Sequence, residues 1–103
     1  MKLKDVMIPI GKFPVVNQKT ILKEALTEMG AANLGLVCIV DEYNNLTGLI
    51  TDGDLRRKLL KVQKPFSSFF IDDVQIHAKE NPITCSPETD LKEAINLMEQ
   101  KQV

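Results

Sequence analysis

Two oxygen-bearing side chains, Thr51 and Asp54, have the clearest chemical potential in the sequence. They follow a short apolar run, Leu46–Ile50, and they precede an amphipathic segment, Leu55–Leu60. This order predicts a strand that leads directly into a helix, whose first backbone N–H groups have no partner within the helix. Together with the helix dipole, those groups favour an anion or a polar ligand group at this point.

A purely structural role competes with ligand binding at this junction. Thr51 can cap the helix, and Asp54, three residues later, can complete a capping box. Asp52 and Gly53 lie between them. The carboxylate of Asp52 is explained most simply by compensation of the helix dipole in the first turn. The residue types alone leave both interpretations open.

The cationic and titratable residues nearby add no catalytic pattern. Arg56 and Arg57 can reach a phosphate or a sugar-acid carboxylate, or they can form a solvated helix face. His77, the single histidine, is expected to be an exposed loop side chain, with a general base or a metal ligand as the alternative. No nucleophile motif and no Walker-type loop is present, so we expect neither catalytic residues nor a metal site.

The composition of the chain favours a soluble globular domain over a membrane protein or a nucleic-acid-binding protein. The chain has 103 residues, of which 44% are hydrophobic and 26% charged, as in soluble globular domains. A net charge of −1 gives no general reason to bind nucleic acid or an anionic membrane. There is no apolar run of membrane-spanning length and no signal-peptide pattern. Cys38 and Cys85 lack metal-ligand spacing, so we expect two reduced, buried thiols in a cytoplasmic protein.

The elements that must position the junction follow from the hydrophobic pattern. Pro14–Val16 predicts a short extended piece, and Thr20 is expected to open a helix that ends between Gly30 and Gly35. Leu36–Val40 is nearly all apolar, which predicts a strand covered on both faces. The turn Asp41–Asn45 then makes an antiparallel hairpin with the strand before Thr51.

The residues after this junction are expected to contribute to packing. Leu55, Leu59 and Leu60 give the helix an apolar side. The connecting segment that follows is too apolar for a free linker, and we expect four of its side chains to pack against a core or a partner. These four are Phe66, Phe69, Phe70 and Ile71.

An internal repeat decides the expected architecture. The sequence LKEAL of Leu22–Leu26 recurs as LKEAI in Leu91–Ile95, and Met29 recurs as Met98, each 69 residues later. The second copy stops inside its first helix, which leaves apolar surface for another chain or further residues to cover. We therefore predict a first repeat over 1–60, a connecting segment over 61–73 and the N-terminal part of an incomplete second repeat over 74–103.

The predicted order of elements is strand, helix, strand, strand and helix, and it begins again in the second copy. This order resembles the tandem CBS-domain pair, or Bateman module. The resemblance is carried in order by Asp5–Met7, by Leu22–Ala25 and by Gly48–Arg57, which reads GLITDGDLRR. The last stretch is similar to the regulatory C-terminal part of bacterial arabinose 5-phosphate isomerases, which feed Kdo synthesis for lipopolysaccharide or capsule. The implied fold is mixed α/β, of the CBS type.

The resemblance also implies a function. In CBS modules the Thr at this position faces phosphate and the Asp takes ribose hydroxyls, so Thr51 and Asp54 would bind a ligand, with Asp52, Gly53 and Arg57 in the same turn. The ligand would be an adenine nucleotide, ATP or AMP, or an end product such as CMP-Kdo. The module would need no cofactor and would regulate an attached enzyme by differential affinity for two conformations.

The implied partners are a second copy of the module, through homodimerisation, and the sugar isomerase domain of a parent chain, where any isomerase chemistry would reside. A different class of function also fits the sequence: a structural module that only dimerises or packs against an enzyme domain. The incomplete second repeat and the phenylalanine-rich connection favour association of some kind. A stand-alone enzyme is the least favoured class because no reactive constellation is present.

Overall fold

The chain folds into a three-stranded sheet with helices, which confirms the mixed α/β class. The structure is a computed structural model that describes residues 1–61 and 65–103. After a 3₁₀ turn at Leu3–Asp5, the elements are β1 (Val15–Asn17), α1 (Leu22–Ala32), β2 (Leu36–Val40), β3 (Leu46–Thr51), α2 (Asp52–Lys61), α3 (Phe66–Phe70), α4 (Val74–His77) and α5 (Leu91–Lys101). Within the described ranges, the helices are all too short or too polar to cross a membrane.

The sheet is built around the predicted hairpin. Its strand order is β1-β2-β3, with β1 parallel and β3 antiparallel to β2. Asn44 takes a positive φ of 64°, which asparagine tolerates well, and the carboxylate of Asp41 accepts bonds of 2.9 Å from the N–H groups of Tyr43 and Asn45. The resulting register places Leu36 opposite Thr51.

The hydrophobic core lies between α1 and one face of the sheet. Leu22, Ala25 and Met29, at helical spacing on α1, are buried, as are Val37 and Ile39 of β2. The remaining three residues of β2 are only half-buried. The expectation that this strand is covered on both faces is therefore wrong for the described part of the chain, where one face is closed by α1 and the other is partly open.

The two copies of the repeat form matching helices. Helices α1 and α5 have 11 residues each, and they begin at Leu22 and Leu91, which are 69 positions apart. Each ends at a residue in the left-handed region, Asn33 at φ 54° and Gln102 at φ 58°. Thr20 does not open α1, because the helix begins two residues later after Ile21, which makes no side-chain capping bond.

The chain divides into two compact units, Met1–Pro9 with Ile83–Val103, and Ile10–Pro82. In each unit, the first helix of one copy contacts the lead-in segment of the other copy. The lead-in segment of a copy is the stretch of residues that precedes its first helix. Leu22 N–H donates to the Asp72 carbonyl at 2.9 Å in the larger unit, and Leu91 N–H donates to the Met1 carbonyl at 2.8 Å in the smaller one. The boundaries of the sequence repeats remain a prediction.

Several packing expectations are resolved in the larger unit. Phe69 is buried and Phe70 is half-buried against the core, as expected, whereas Ile71 is 71% exposed. Leu60 is 82% exposed, so its assignment to the apolar side of α2 is wrong. Leu55 and Leu59 share one face because they are four residues apart, and position 60 is rotated by about 100° from that face. The side chain of Phe66 lies outside the described residues.

The two cysteines differ from the expectation of buried thiols. Cys38 is half-buried, and burial raises the pKa of its thiol. Cys85 is exposed in the smaller unit, where the segment that carries it forms no strand. Neither thiol forms a disulfide within the described part of the chain.

Candidate functional site

The candidate site lies where β3 ends and α2 begins, within the larger compact unit. The helix starts at Asp52, directly after the last strand residue, Thr51. Thr51 is half-buried, and its Oγ1 accepts a hydrogen bond of 3.0 Å from the backbone N–H of Asp54. The predicted helix cap is therefore present, and it holds the Thr51 hydroxyl at the tip of the helix.

The carboxylate of Asp54 does not accept the hydrogen bond from the Thr51 backbone N–H that a complete capping box requires. Instead, its Oδ1 accepts a hydrogen bond of 2.5 Å from Arg57 Nη2, one turn along the helix. Burial acts to raise the pKa of Asp54. Hydrogen bonds from Arg57 and Thr51 and the positive charges of Arg57 and Lys79 outweigh burial and hold that pKa below its usual value.

The two intervening residues fix the geometry of the first turn. Asp52 N–H donates to the Gly35 carbonyl at 3.0 Å, and a Cβ on Gly35 would come within 3.1 Å of an Asp52 carboxylate oxygen. The Arg57 guanidinium lies 3.5 Å from the position that a Cβ on Gly53 would take. The glycine at position 35 thus allows the turn before β2 to approach Asp52 closely, whereas a side chain at position 53 would make only an ordinary contact with Arg57.

A half-buried apolar surface leads up to Thr51. Leu36 and Cys38 of β2 and Leu49 and Thr51 of β3 all lie on the sheet face that α1 does not cover. Residues paired across antiparallel strands point to the same face, so the Leu36 side chain neighbours that of Thr51. The surface can take an apolar ring, while the hydroxyl at its end can bind a polar group.

Of the predicted site residues, Thr51, Asp54 and Arg57 form one hydrogen-bonded cluster. Gly53 lies under the Arg57 guanidinium. Asp52 is turned toward the loop before β2. It lines a depression of about 420 Å³ on that side, together with residues of α1 and of that loop: Leu26, Met29, Gly30, Asn33, Leu34 and Gly35. Arg56 is exposed on the solvent side of α2.

One cation near the site was missed by sequence reasoning. Lys79 belongs to the lead-in segment of the second copy, 25 residues after Asp54 in sequence. Its backbone nevertheless pairs with Leu49 of β3, and its charge acts on Asp54. No local pattern in the sequence indicates this pairing, because it joins segments from the two copies of the repeat.

His77 is not the exposed loop residue that the sequence suggested. It lies in α4 with its side chain 5% exposed, its ring stacks on Phe69 at a centroid distance of 4.4 Å, and its Nε2 lies 2.8 Å from Asp72 Oδ2. The aromatic partner explains the burial, since a stacked imidazole loses contact with water. The described residues contain no cluster of side chains suited to a metal ion.

This combination of fold and site belongs to a known class of module. The sequence matches the CBS domain family over residues 3–61 and again over 71–103. The chain therefore belongs to the CBS domain family and matches the domain twice, the second time over a shorter stretch, which agrees with the predicted repeat.

Sequence relatives link the chain to longer proteins. An uncharacterized protein of Rickettsia prowazekii is 35% identical over 99% of this chain, which covers 30% of that protein. Arabinose 5-phosphate isomerase KdsD of Salmonella typhi is 40% identical over 55% of this chain, which covers 17% of the enzyme. The chain thus spans less than a third of the length of these curated relatives.

Solved structures share the fold. CBSX2 from Arabidopsis thaliana, crystallised in complex with AMP, superposes with a TM-score of 0.81 at 22% identity, covering 99% of this chain and 76% of that one. A CBS domain protein of Pyrobaculum aerophilum complexed with AMP gives a TM-score of 0.79 at 15% identity, covering 100% of this chain and 74% of that one.

Proposed function

We propose that this chain is a non-catalytic regulatory module that binds a nucleotide-type metabolite at the end of β3. The observation that carries the proposal is the arrangement of Thr51 and Asp54. A hydroxyl and a carboxylate meet at the tip of α2, beside a half-buried apolar sheet face. The AMP complexes of two structural relatives support a nucleotide as the ligand.

The two side chains suit different parts of a nucleotide. A threonine oxygen can accept from the Asp54 amide and donate its own proton to a phosphate oxygen. The Asp54 carboxylate would repel a phosphate, but it accepts bonds from two adjacent ribose hydroxyls. Arg57 would exchange its bond with Asp54 for a bond to an anionic group of the ligand, and Asp52 and Gly53 form the turn between them.

Two classes of ligand follow from the relatives. An adenine nucleotide, AMP or ATP, is supported by the AMP-bound structural relatives. An end product such as CMP-Kdo is the alternative that the resemblance to arabinose 5-phosphate isomerases implies, and the partial similarity to KdsD agrees with that resemblance. With either ligand, the module would regulate a sugar isomerase domain of a parent chain. A ligand that prefers one of two conformations of the module would shift their populations, and this shift would change the activity of the attached domain.

Calorimetric titration of the 103-residue chain with AMP, ATP and CMP-Kdo tests the proposal. We expect one of the three to bind at micromolar to millimolar concentration, and Thr51→Ala and Asp54→Ala each to weaken binding by about tenfold or more, the value of a hydrogen bond to a charged group. Thr27→Ala, an exposed threonine on α1, is the matched control and should bind like wild type. Absence of binding by all three ligands at millimolar concentration would overturn the proposal.

A structural role in homodimerisation is the second candidate, and the smaller compact unit favours it. There, Ile95 and Met98 of α5 are 45% and 50% exposed, and a groove of about 360 Å³ runs between Leu3, Met7 and Leu97. Apolar surface of this kind is typical of an interface. Light scattering tests this candidate: we expect a dimer that Met98→Glu dissociates, and a monodisperse wild-type monomer would count against it.

A further inference from the structure

A short segment of the second copy is hydrogen-bonded along the outer edge of β3. Leu49 N–H donates to the Lys79 carbonyl at 3.1 Å, and Lys79 N–H donates back to the Leu49 carbonyl at 2.9 Å. Closer to the start of the strand, Gln75 bonds Thr47 twice, from Nε2 to the carbonyl at 3.1 Å and through Oε1 to the hydroxyl at 3.0 Å. The backbone position of Lys79 is therefore fixed at several points.

This pairing places the Lys79 side chain on the ligand-facing side of the sheet. Residues that exchange both backbone bonds across antiparallel strands point to the same face, with Cβ atoms about 5.5 Å apart. Thr51 follows Leu49 by two residues and shares its face, because side chains alternate along a strand. The stem of Lys79 thus starts beside Leu49, one pleat away from the Thr51 hydroxyl.

Lys79 also differs from the other cations near the tip of α2. The Arg57 guanidinium is bonded to Asp54, and Lys58 Nζ donates to the Ile76 carbonyl at 3.4 Å. Lys79 is exposed, and its charge acts on Asp54, but among the residues described no salt bridge or side-chain hydrogen bond involves its ammonium. A lysine that is anchored through its backbone, and whose ammonium is not bonded to a described side chain, can bind an anionic group of a ligand.

We propose that Lys79 determines the preference of this site for an anionic ligand by binding the phosphate that the Thr51 hydroxyl also contacts. The inference rests on the proposed function, since it assigns a further residue to the same site. It also gives the lead-in segment of the second copy a part in a ligand site that otherwise consists of residues from the first copy.

Calorimetric titration of the full chain with AMP and with adenosine tests the assignment, since these ligands differ only in the phosphate. We expect Lys79→Ala to weaken AMP binding by about tenfold, the value of a charge-assisted hydrogen bond, and to change adenosine binding by less than twofold. Lys79→Arg should retain AMP binding within about threefold, because it keeps the charge. Lys61→Ala, which removes the same charge at the far end of α2, is the control and should match wild type.

The outcomes separate this inference from the proposed function. If the wild-type chain binds neither AMP nor adenosine, both fail. If the wild-type chain binds AMP and Lys79→Ala binds it equally well, Lys79 is only a solvated surface lysine, and the inference falls while the proposed function stands. An equal loss of AMP and adenosine binding would assign Lys79 a structural role and would also overturn the inference.

Discussion

The backbone N–H of Asp54 donates a hydrogen bond of 3.0 Å to the hydroxyl of Thr51, while the Asp54 carboxylate is bonded to Arg57. The threonine is thus a helix cap, whether or not a ligand is bound. The carboxylate, in contrast, is bonded to an exposed arginine, which the proposed ligand would displace. Capping and the proposed ligand binding would therefore use the same two residues but different atoms of Asp54.

Removal of the cap should destabilise the fold. We expect Thr51→Ala to lower the free energy of unfolding by about 1 kcal/mol, because the Asp54 N–H loses its acceptor. Thr51→Ser keeps the hydroxyl and should remain within about 0.5 kcal/mol of wild type. Urea unfolding of the three chains measures the difference. An alanine variant as stable as wild type would show that the bond does not contribute.

Stability should depend on pH through Asp54. Because the pKa of the folded state lies below the usual value, the ionised carboxylate stabilises the fold above its unfolded pKa of about 3.9, and this contribution is lost as the pH falls through the folded pKa. We expect the wild-type chain to lose more unfolding free energy than Asp54→Asn between pH 6 and pH 3, as measured by urea unfolding at each pH.

The control for this pH series is Glu24→Gln, which removes an exposed carboxylate from α1. The lowered pKa values of Asp41 and Glu88 contribute equally to wild type and to both variants. Parallel curves for wild type and Asp54→Asn would contradict the account of this carboxylate.

Two glycines should respond in opposite directions to the same change. A Cβ at Gly48 would come within 2.8 Å of the Ala78 Cβ, so Gly48→Ala is expected to cost about 1–3 kcal/mol. Gly30 lies within α1 with open space around its Cβ position, so Gly30→Ala should stabilise the fold by about 0.5–1 kcal/mol. Thermal and urea unfolding of the pair test this. Equal effects of the two substitutions would refute the close approach at Gly48.

The apolar residues after α2 should also separate into two groups. Phe69 is 1% exposed, and Phe69→Ala should cost about 3–5 kcal/mol because it leaves a cavity in the core and removes the ring on which His77 stacks. Ile71 is 71% exposed, and Ile71→Ala should change stability by less than about 0.5 kcal/mol. The two variants can be compared by urea unfolding, and a large loss in the isoleucine variant would contradict the assigned packing.

Local signals predicted the hairpin and the tip of α2 well. The apolar run of β2, the Asn-Asn turn and the strand before Thr51 are short-range patterns, and the structure reproduces each of them. The repeat of LKEA predicted the two matching helices at Leu22 and Leu91. These features could be predicted because their stabilising contacts lie within a few residues of each other in sequence.

The features that sequence reasoning missed depend on contacts between distant segments. His77 is buried because it stacks on Phe69 and contacts Asp72, and its polar surroundings in sequence give no sign of either contact. Lys79 pairs through its backbone with Leu49, 30 residues earlier, and its charge acts on Asp54. Hydrophobic periodicity does not specify which segment lies along the edge of a sheet, so these placements had to come from the structure.

A crystal structure of the 103-residue chain grown with AMP would locate the ligand. We expect electron density for the nucleotide at the end of β3, with a phosphate oxygen within hydrogen-bonding distance of Thr51 Oγ1 and the ribose hydroxyls on Asp54. Density for AMP at another surface, or its absence at saturating AMP, would contradict the claim that this strand-to-helix junction is the ligand site.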